Sequence, residues 1–96
     1  MTSPADPAAQ APPKYRTVFT EAARADLRKI ERTTALTILR KLAELETDPY
    51  GFGTTELITE RGTRRLRVGD YRIFYTIQNN ELVVEVVRVS HRSVAY

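Results

Sequence analysis

The chain contains no cysteine and no tryptophan, and it has a single histidine and a single methionine. Without cysteine there can be no disulfide, no thiolate nucleophile and no cysteine-based zinc site. One histidine among scattered carboxylates is poor material for a metal centre, and no metal or other cofactor is expected. No stretch approaches the ~18 consecutive apolar residues of a membrane helix. The N-terminal segment has neither a basic start nor an apolar run. No secretory signal is therefore expected, and the reading is a cytoplasmic protein with no membrane association. Lysine is also missing where positive charge is densest. Residues 61–96 hold seven arginines and no lysine, against Asp70, Glu81 and Glu85, a balance of +4. Residues 1–60 hold eight Lys/Arg against nine Asp/Glu, a balance of −1, which leaves +3 for the whole chain. Arginine presents a planar fork that pairs with phosphate at two points at once, whereas lysine is a point charge.

Residues 1–13 have no aromatic or branched apolar side chain and carry four of the five prolines. Such a segment cannot bury enough surface to offset its ordering entropy, so a disordered tail is expected there. Residues 14–96 are then one small domain of roughly 80 residues with a modest core. Tyr15 to Phe19 reads as a short strand. Thr20 offers a capping oxygen, and Ala23, Leu27 and Ile30 recur at helical spacing, which predicts a helix over about 20–32. Thr33 and Thr34 read as a second cap. Leu36, Ile38, Leu39, Leu42 and Leu45 form a broad apolar stripe on a helix over about 34–46, stopped by Asp48-Pro49. Glu56-Leu57-Ile58 is an edge-strand candidate, followed by strands over 64–68, 71–77 and 82–89. The expectation is an α+β domain of order β-α-α-β-β-β, an antiparallel sheet with a two-helix hairpin on one face.

Two turns sort the side chains of that sheet. Gly69-Asp70 reads as a two-residue hairpin loop, because glycine supplies the positive φ. Val68 then faces Tyr71, Arg67 faces Arg72, and Arg65 faces Phe74. If Asn79-Asn80 is also a two-residue loop, Ile77 faces Leu82 and Arg72 faces Val87. Side chains alternate between the faces of a sheet. One face therefore collects Leu66, Val68, Tyr71, Ile73, Tyr75, Ile77, Leu82, Val84 and Val86, and belongs under the helices. The other collects Arg65, Arg67, Arg72, Phe74, Thr76, Glu85, Val87, Val89 and His91. Like charges directly opposite on a sheet destabilise it by up to roughly 1 kcal/mol. Arg67 opposite Arg72 is either a solvated pair, with Glu85 as a partner in reach, or part of an anion site in which bound phosphate relieves the repulsion.

The run Arg65-Leu-Arg67-Val-Gly69-Asp70-Tyr71-Arg72-Ile73 resembles the signature of RelE/ParE-type toxins. The ending Val89-Ser-His91-Arg92-Ser-Val-Ala-Tyr96 resembles the family's tail, and the Asp48-Pro49 break after a helical hairpin is usual there. The resemblance runs from about Tyr15 to Tyr96. It implies a type II toxin neutralised by a cognate antitoxin, a small acidic or DNA-binding protein. Two activities occur on this scaffold. RelE-like members enter the ribosomal A site and cleave mRNA, while ParE-like members inhibit DNA gyrase without nuclease residues. By the resemblance, Arg65, Arg72, Arg92 and Tyr96 match nuclease positions, and Arg64 falls near the first residue of a basic pair.

Metal-independent RNA cleavage uses the substrate's own 2′-hydroxyl as nucleophile. Arg65 and Arg72, with Arg64 and Arg67 as phosphate contacts, suit stabilisation of the charge that develops on phosphorus. Tyr96 suits stacking on a base or orienting the 2′-hydroxyl. Histidine is the residue type that gains and loses a proton near neutral pH, and His91 is either an acid–base group or a positioning residue. Glu56 and Glu60 are loop carboxylates that could serve as base. Arg88 reads as structural. The favoured reading is a ribosome-dependent endoribonuclease. The alternatives are a gyrase-directed toxin and a member that binds only its antitoxin or an operator.

Overall fold

The computed structural model describes residues 14–51 and 53–93. The expected disordered tail, 1–13, and Tyr96 lie outside these residues. Strand and helix periodicities give β1 (Arg16–Phe19), α1 (Glu21–Arg28), α2 (Arg32–Leu45), β2 (Thr54–Glu56), β3 (Thr63–Val68), β4 (Tyr71–Gln78) and β5 (Val83–His91). The sheet order is β1-β5-β4-β3-β2. It is antiparallel except for β1, which lies parallel to β5 because the helical hairpin carries the chain away before the sheet resumes. The class is α+β, with Ala23 of α1 and Ile38, Leu42 and Leu45 of α2 packed on Leu66, Val68, Ile73, Tyr75, Val84, Val86 and Val89 of the sheet.

The caps differ from expectation in an instructive way. Thr20 Oγ1 does accept from Ala23 N–H, at 3.1 Å, and its own proton goes to Val87 O at 2.9 Å. The helix it starts is shorter than the spacing predicts, ending at Arg28. At α2 the cap is Glu31, one turn ahead of the apolar stripe. Its carboxylate accepts from the amides of Thr33 and Thr34, both at 3.1 Å, so the two threonines read as caps are the capped residues. Those bonds hold the Glu31 carboxyl below its ordinary pKa, the Thr33 amide first among them. The second helix ends at Leu45, ahead of Asp48-Pro49, and Tyr75 OH donates to Pro49 O at 2.7 Å to tie that break onto the sheet.

The first hairpin has the register read from the sequence. Gly69 sits at φ +57°, and Val68, Arg67 and Arg65 oppose Tyr71, Arg72 and Phe74. The second does not. Gln78 pairs with Val83, so the loop spans 79–82 rather than two asparagines, and Leu82 takes the positive φ, +55°. Leu82 is thereby taken out of the core face and left 39% exposed. A bulge between Phe74 and Tyr75 then shifts the rest of the ladder, so that Ile73 opposes Val89 and Arg72 opposes Ser90. Val89, expected beside the arginines, is buried in the core instead.

Beyond Val86, β1 no longer covers the edge of β5, and α1 replaces it. The Asp26 carboxylate accepts the Val89 amide at 2.9 Å and the Arg88 guanidinium at 2.8 and 3.2 Å. The Asp26 side chain is 12% exposed and that of Arg88 45%, so the ion pair is partly screened and the bond to the Val89 amide matters as much. Burial pushes the Asp26 carboxyl up, but Arg88, the Val89 amide and the charge of Lys29 together outweigh it and hold the group below its ordinary value. Asp26→Ala should cost about 2–3 kcal/mol in urea denaturation, since it strands a buried amide and removes a charge-assisted bond. A depressed carboxyl stabilises fully above its unfolded pKa, near 4, and loses that contribution as pH falls through the lower folded value. The wild type should therefore lose stability below about pH 4 more steeply than Asp26→Ala does.

Candidate functional site

Strand alternation on β3 and β4 delivers Arg65, Arg67 and Arg72 to the sheet face opposite the helices. Arg67 is exposed, and Arg65 and Arg72 are half-buried. Among the described residues, none of the three guanidinium groups has a hydrogen-bond or ion-pair partner. The Nε of Arg72 is itself buried and unmatched. Arg72 also lies directly across from Arg67 and next to buried Ser90.

Beside Arg72 lies a cleft of about 170 Å³ lined by Arg67, Gly69, Asp70, Tyr71, Arg72 and Arg92. At roughly 30 Å³ of liquid per water, that is room for several waters or one phosphate group. Arg92 follows β5, where alternation no longer sets direction, and a double contact with the first hairpin turn fixes it. Its amide donates to Asp70 O at 2.7 Å, and its Nε lies 3.4 Å from Asp70 Oδ1. Both ion-pair side chains are more than 60% exposed, so the pair is worth under ~1 kcal/mol and exchanges readily. Asp70 was legible as a turn residue only. Its place opposite Arg92 follows from the bulged register, Tyr71 against His91, which the sequence does not announce.

The remaining candidates are distributed as follows. Arg65 lines an adjoining groove with Gly53, Thr54, Thr55 and Arg67, one step from the cleft. Arg64, expected to contact phosphate with Arg67, is on the other face. It opposes Tyr75, donates to Thr54 Oγ1 at 2.9 Å and lies 5.2 Å over the Tyr50 ring. His91 also departs from the expected arginine face, because the bulge turns it to the side of Tyr71. The two rings meet edge to face at 5.2 Å. His91 Nδ1 accepts from Ser93 N–H at 3.2 Å and lies 2.8 Å from Ser93 Oγ, which puts the neutral ring's proton on Nε2. His91 thus holds Ser93 and does not line the cleft. Glu56 is occupied with the Gly62 amide at 3.2 Å. Glu60 is in the loop before β3 and lines none of the described clefts on the arginine face. Arg88 is held by Asp26, as a structural residue would be.

With this geometry in place, the chain can be set beside known proteins. A curated relative, toxin RelG of Mycobacterium tuberculosis, is 32% identical over 83 residues, covering 85% of this chain and 95% of RelG. The toxin–antitoxin complex RelBE2 of the same organism contains a chain that superposes with a TM-score of 0.74 at 31% identity, covering 82% of this chain and 99% of that one. The isolated RelE toxin of E. coli has the same fold, with a TM-score of 0.74 at 23% identity over 84% of this chain and 87% of that one. A family model described as the ParE toxin of the type II toxin–antitoxin system parDE matches residues 17–96. The chain therefore belongs to the RelE/ParE superfamily of type II toxins.

Proposed function

We propose that this toxin is a ribosome-dependent, metal-independent endoribonuclease that cleaves mRNA in the ribosomal A site and so inhibits translation. The observation that carries this reading is the convergence of Arg67, Arg72 and Arg92 on one open cleft of the uncovered sheet face. In the reaction the 2′-oxygen attacks the adjacent phosphorus as its proton leaves, forming the O2′–P bond. The P–O5′ bond breaks and O5′ takes up a proton. The products are a 2′,3′-cyclic phosphate and a 5′-hydroxyl. Arg72, fixed on β4, and Arg92, released by Asp70, compensate the charge gained by the phosphoryl oxygens, with Arg67 and Arg65 holding the substrate strand. Tyr96 is assigned to the base beside the cleavage point, where an aromatic ring can stack. His91 is assigned a positioning role, through its contact with Ser93.

The natural inhibitor of such a site is a cognate antitoxin whose acidic segment covers the arginine face, by charge complementarity. RelBE2 of M. tuberculosis is a toxin–antitoxin complex. The function is tested with purified protein and ribosomes programmed with a defined mRNA. Primer extension should show cuts confined to the A-site codon, leaving 5′-hydroxyl ends. Intact mRNA together with inhibited supercoiling by DNA gyrase would transfer the cleft to the gyrase-directed alternative.

A further inference from the structure

The arginine face does not end at the cleft. Arg67 is shared between the cleft and a second groove of about 440 Å³, lined by Gly53, Thr54, Thr55, Arg65 and Arg67. We infer that this groove is a second phosphate subsite, which binds the neighbouring phosphodiester of a single-stranded RNA whose scissile phosphate lies in the cleft. The inference rests on the nuclease reading and extends it from a point to a path. That path crosses the sheet from β4 over β3 to the edge strand β2.

Four features support it. Arg65 and Arg67 point the same way two residues apart on β3, so their stems are spaced by about 6.5–7 Å, the distance between two sites rather than two forks on one. Arg65 opposes Thr55 across the β2–β3 pair. The Thr55 hydroxyl has no partner among the described residues, whereas that of Thr54 is spent on Gly51 O at 2.7 Å and on Arg64. Gly53, at φ +89° with open space where a Cβ would stand, lets a strand approach the backbone closely. No carboxylate lines the groove, although the cleft contains Asp70. The difference is functional. Asp70 makes the cleft selective for a ligand that can displace a weak ion pair. The groove has no such competitor and serves as a holding site. Arg65 is thereby a strand-binding residue at one phosphate's remove from the chemistry.

The test uses the full chain and two probes with 2′-O-methyl sugars, which cannot be cleaved: an RNA octamer, and a dinucleotide containing a single phosphodiester. Binding is followed by NMR titration at several salt concentrations. Thr55→Glu should weaken octamer binding about tenfold and lower the slope of log affinity against log salt by about 0.7, the loss of one single-strand phosphate contact. Thr55→Lys should tighten octamer binding several-fold. Neither change should move dinucleotide affinity by more than about twofold, since one phosphate fills the cleft alone. Thr33→Glu, on the exposed start of α2, controls for net charge. If octamer affinity is indifferent to Thr55, or responds no more than it does to Thr33→Glu, the second subsite is wrong while the cleft stands. If wild-type protein binds neither probe, the second subsite falls, while the nuclease reading stands or falls separately on A-site cleavage by programmed ribosomes.

Discussion

Replacing Arg72 with alanine is expected to lower the rate of A-site mRNA cleavage by about 10²–10³-fold, the usual loss when one preorganised donor to developing charge is removed. Stability is expected to hold or rise. The side chain opposes Arg67 across the hairpin, and like charges in that arrangement cost up to roughly 1 kcal/mol. Its Nε is buried without a partner, a further cost that alanine does not bear. The mechanism proposed above assigns the interactions of this guanidinium to the RNA phosphate. Arg72→Lys separates charge from geometry. Lysine keeps the positive charge but offers a single compact point in place of a fork. It should therefore bind RNA nearly as well as the parent while cleaving it far more slowly. Single-turnover cleavage on programmed ribosomes, paired with urea denaturation of each variant, reads both quantities. An Arg72→Ala protein that cleaves at the parental rate would remove the mechanism proposed for the cleft.

How far the site could be read from the sequence depends on where the chain has a fixed period. The Gly69-Asp70 turn has one geometry available to it, so the facing of Arg65, Arg67 and Arg72 follows by counting. Asn79-Asn80 offers no such constraint. Asparagine tolerates positive φ, but here Leu82 adopts it instead, and the loop grows to four residues. A two-residue slip alone would preserve the faces, because the side-chain period is two. It is the bulge opposite Phe74 and Tyr75 that exchanges them for everything after it. Val89 and His91 move to the core side, Ser90 comes to the arginine side, and Arg92 comes level with Asp70. A bulge of this kind inserts one extra residue, here Val87, and no spacing in the sequence announces it. The same logic covers Glu31. Its carboxylate caps α2 from just outside the helix, while the hydroxyls of Thr33 and Thr34 look locally like better caps. Arg64 is a case in which the alternation was available and sufficient. Its neighbour Leu66 is in the core, so Arg64 lies on the core side as well, and the resemblance to a basic pair pointed the other way.

Ile73 is the next residue after Arg72 and should behave in the opposite manner. It is fully buried on β4, between Leu66 on one side and Val89 on the other. Ile73→Ala removes three carbons from a close-packed site and should cost about 3–5 kcal/mol, where Ile73→Val costs about 1. A domain of roughly 80 residues has only about 4–12 kcal/mol in total. The alanine variant should thus lose about 15–30 °C in melting temperature and be partly unfolded at 37 °C. Both Arg72→Ala and Ile73→Ala should abolish toxicity in a growth assay, and circular dichroism with thermal melting should tell them apart. The first retains the parental melt and the second does not. The contrast tests the whole sheet register in one step. If β4 were slipped by one residue, Arg72 would be the buried position and Ile73 the exposed one, and the two phenotypes would trade places. A parental melting temperature for Ile73→Ala would therefore overturn the register from which the arginine face is built.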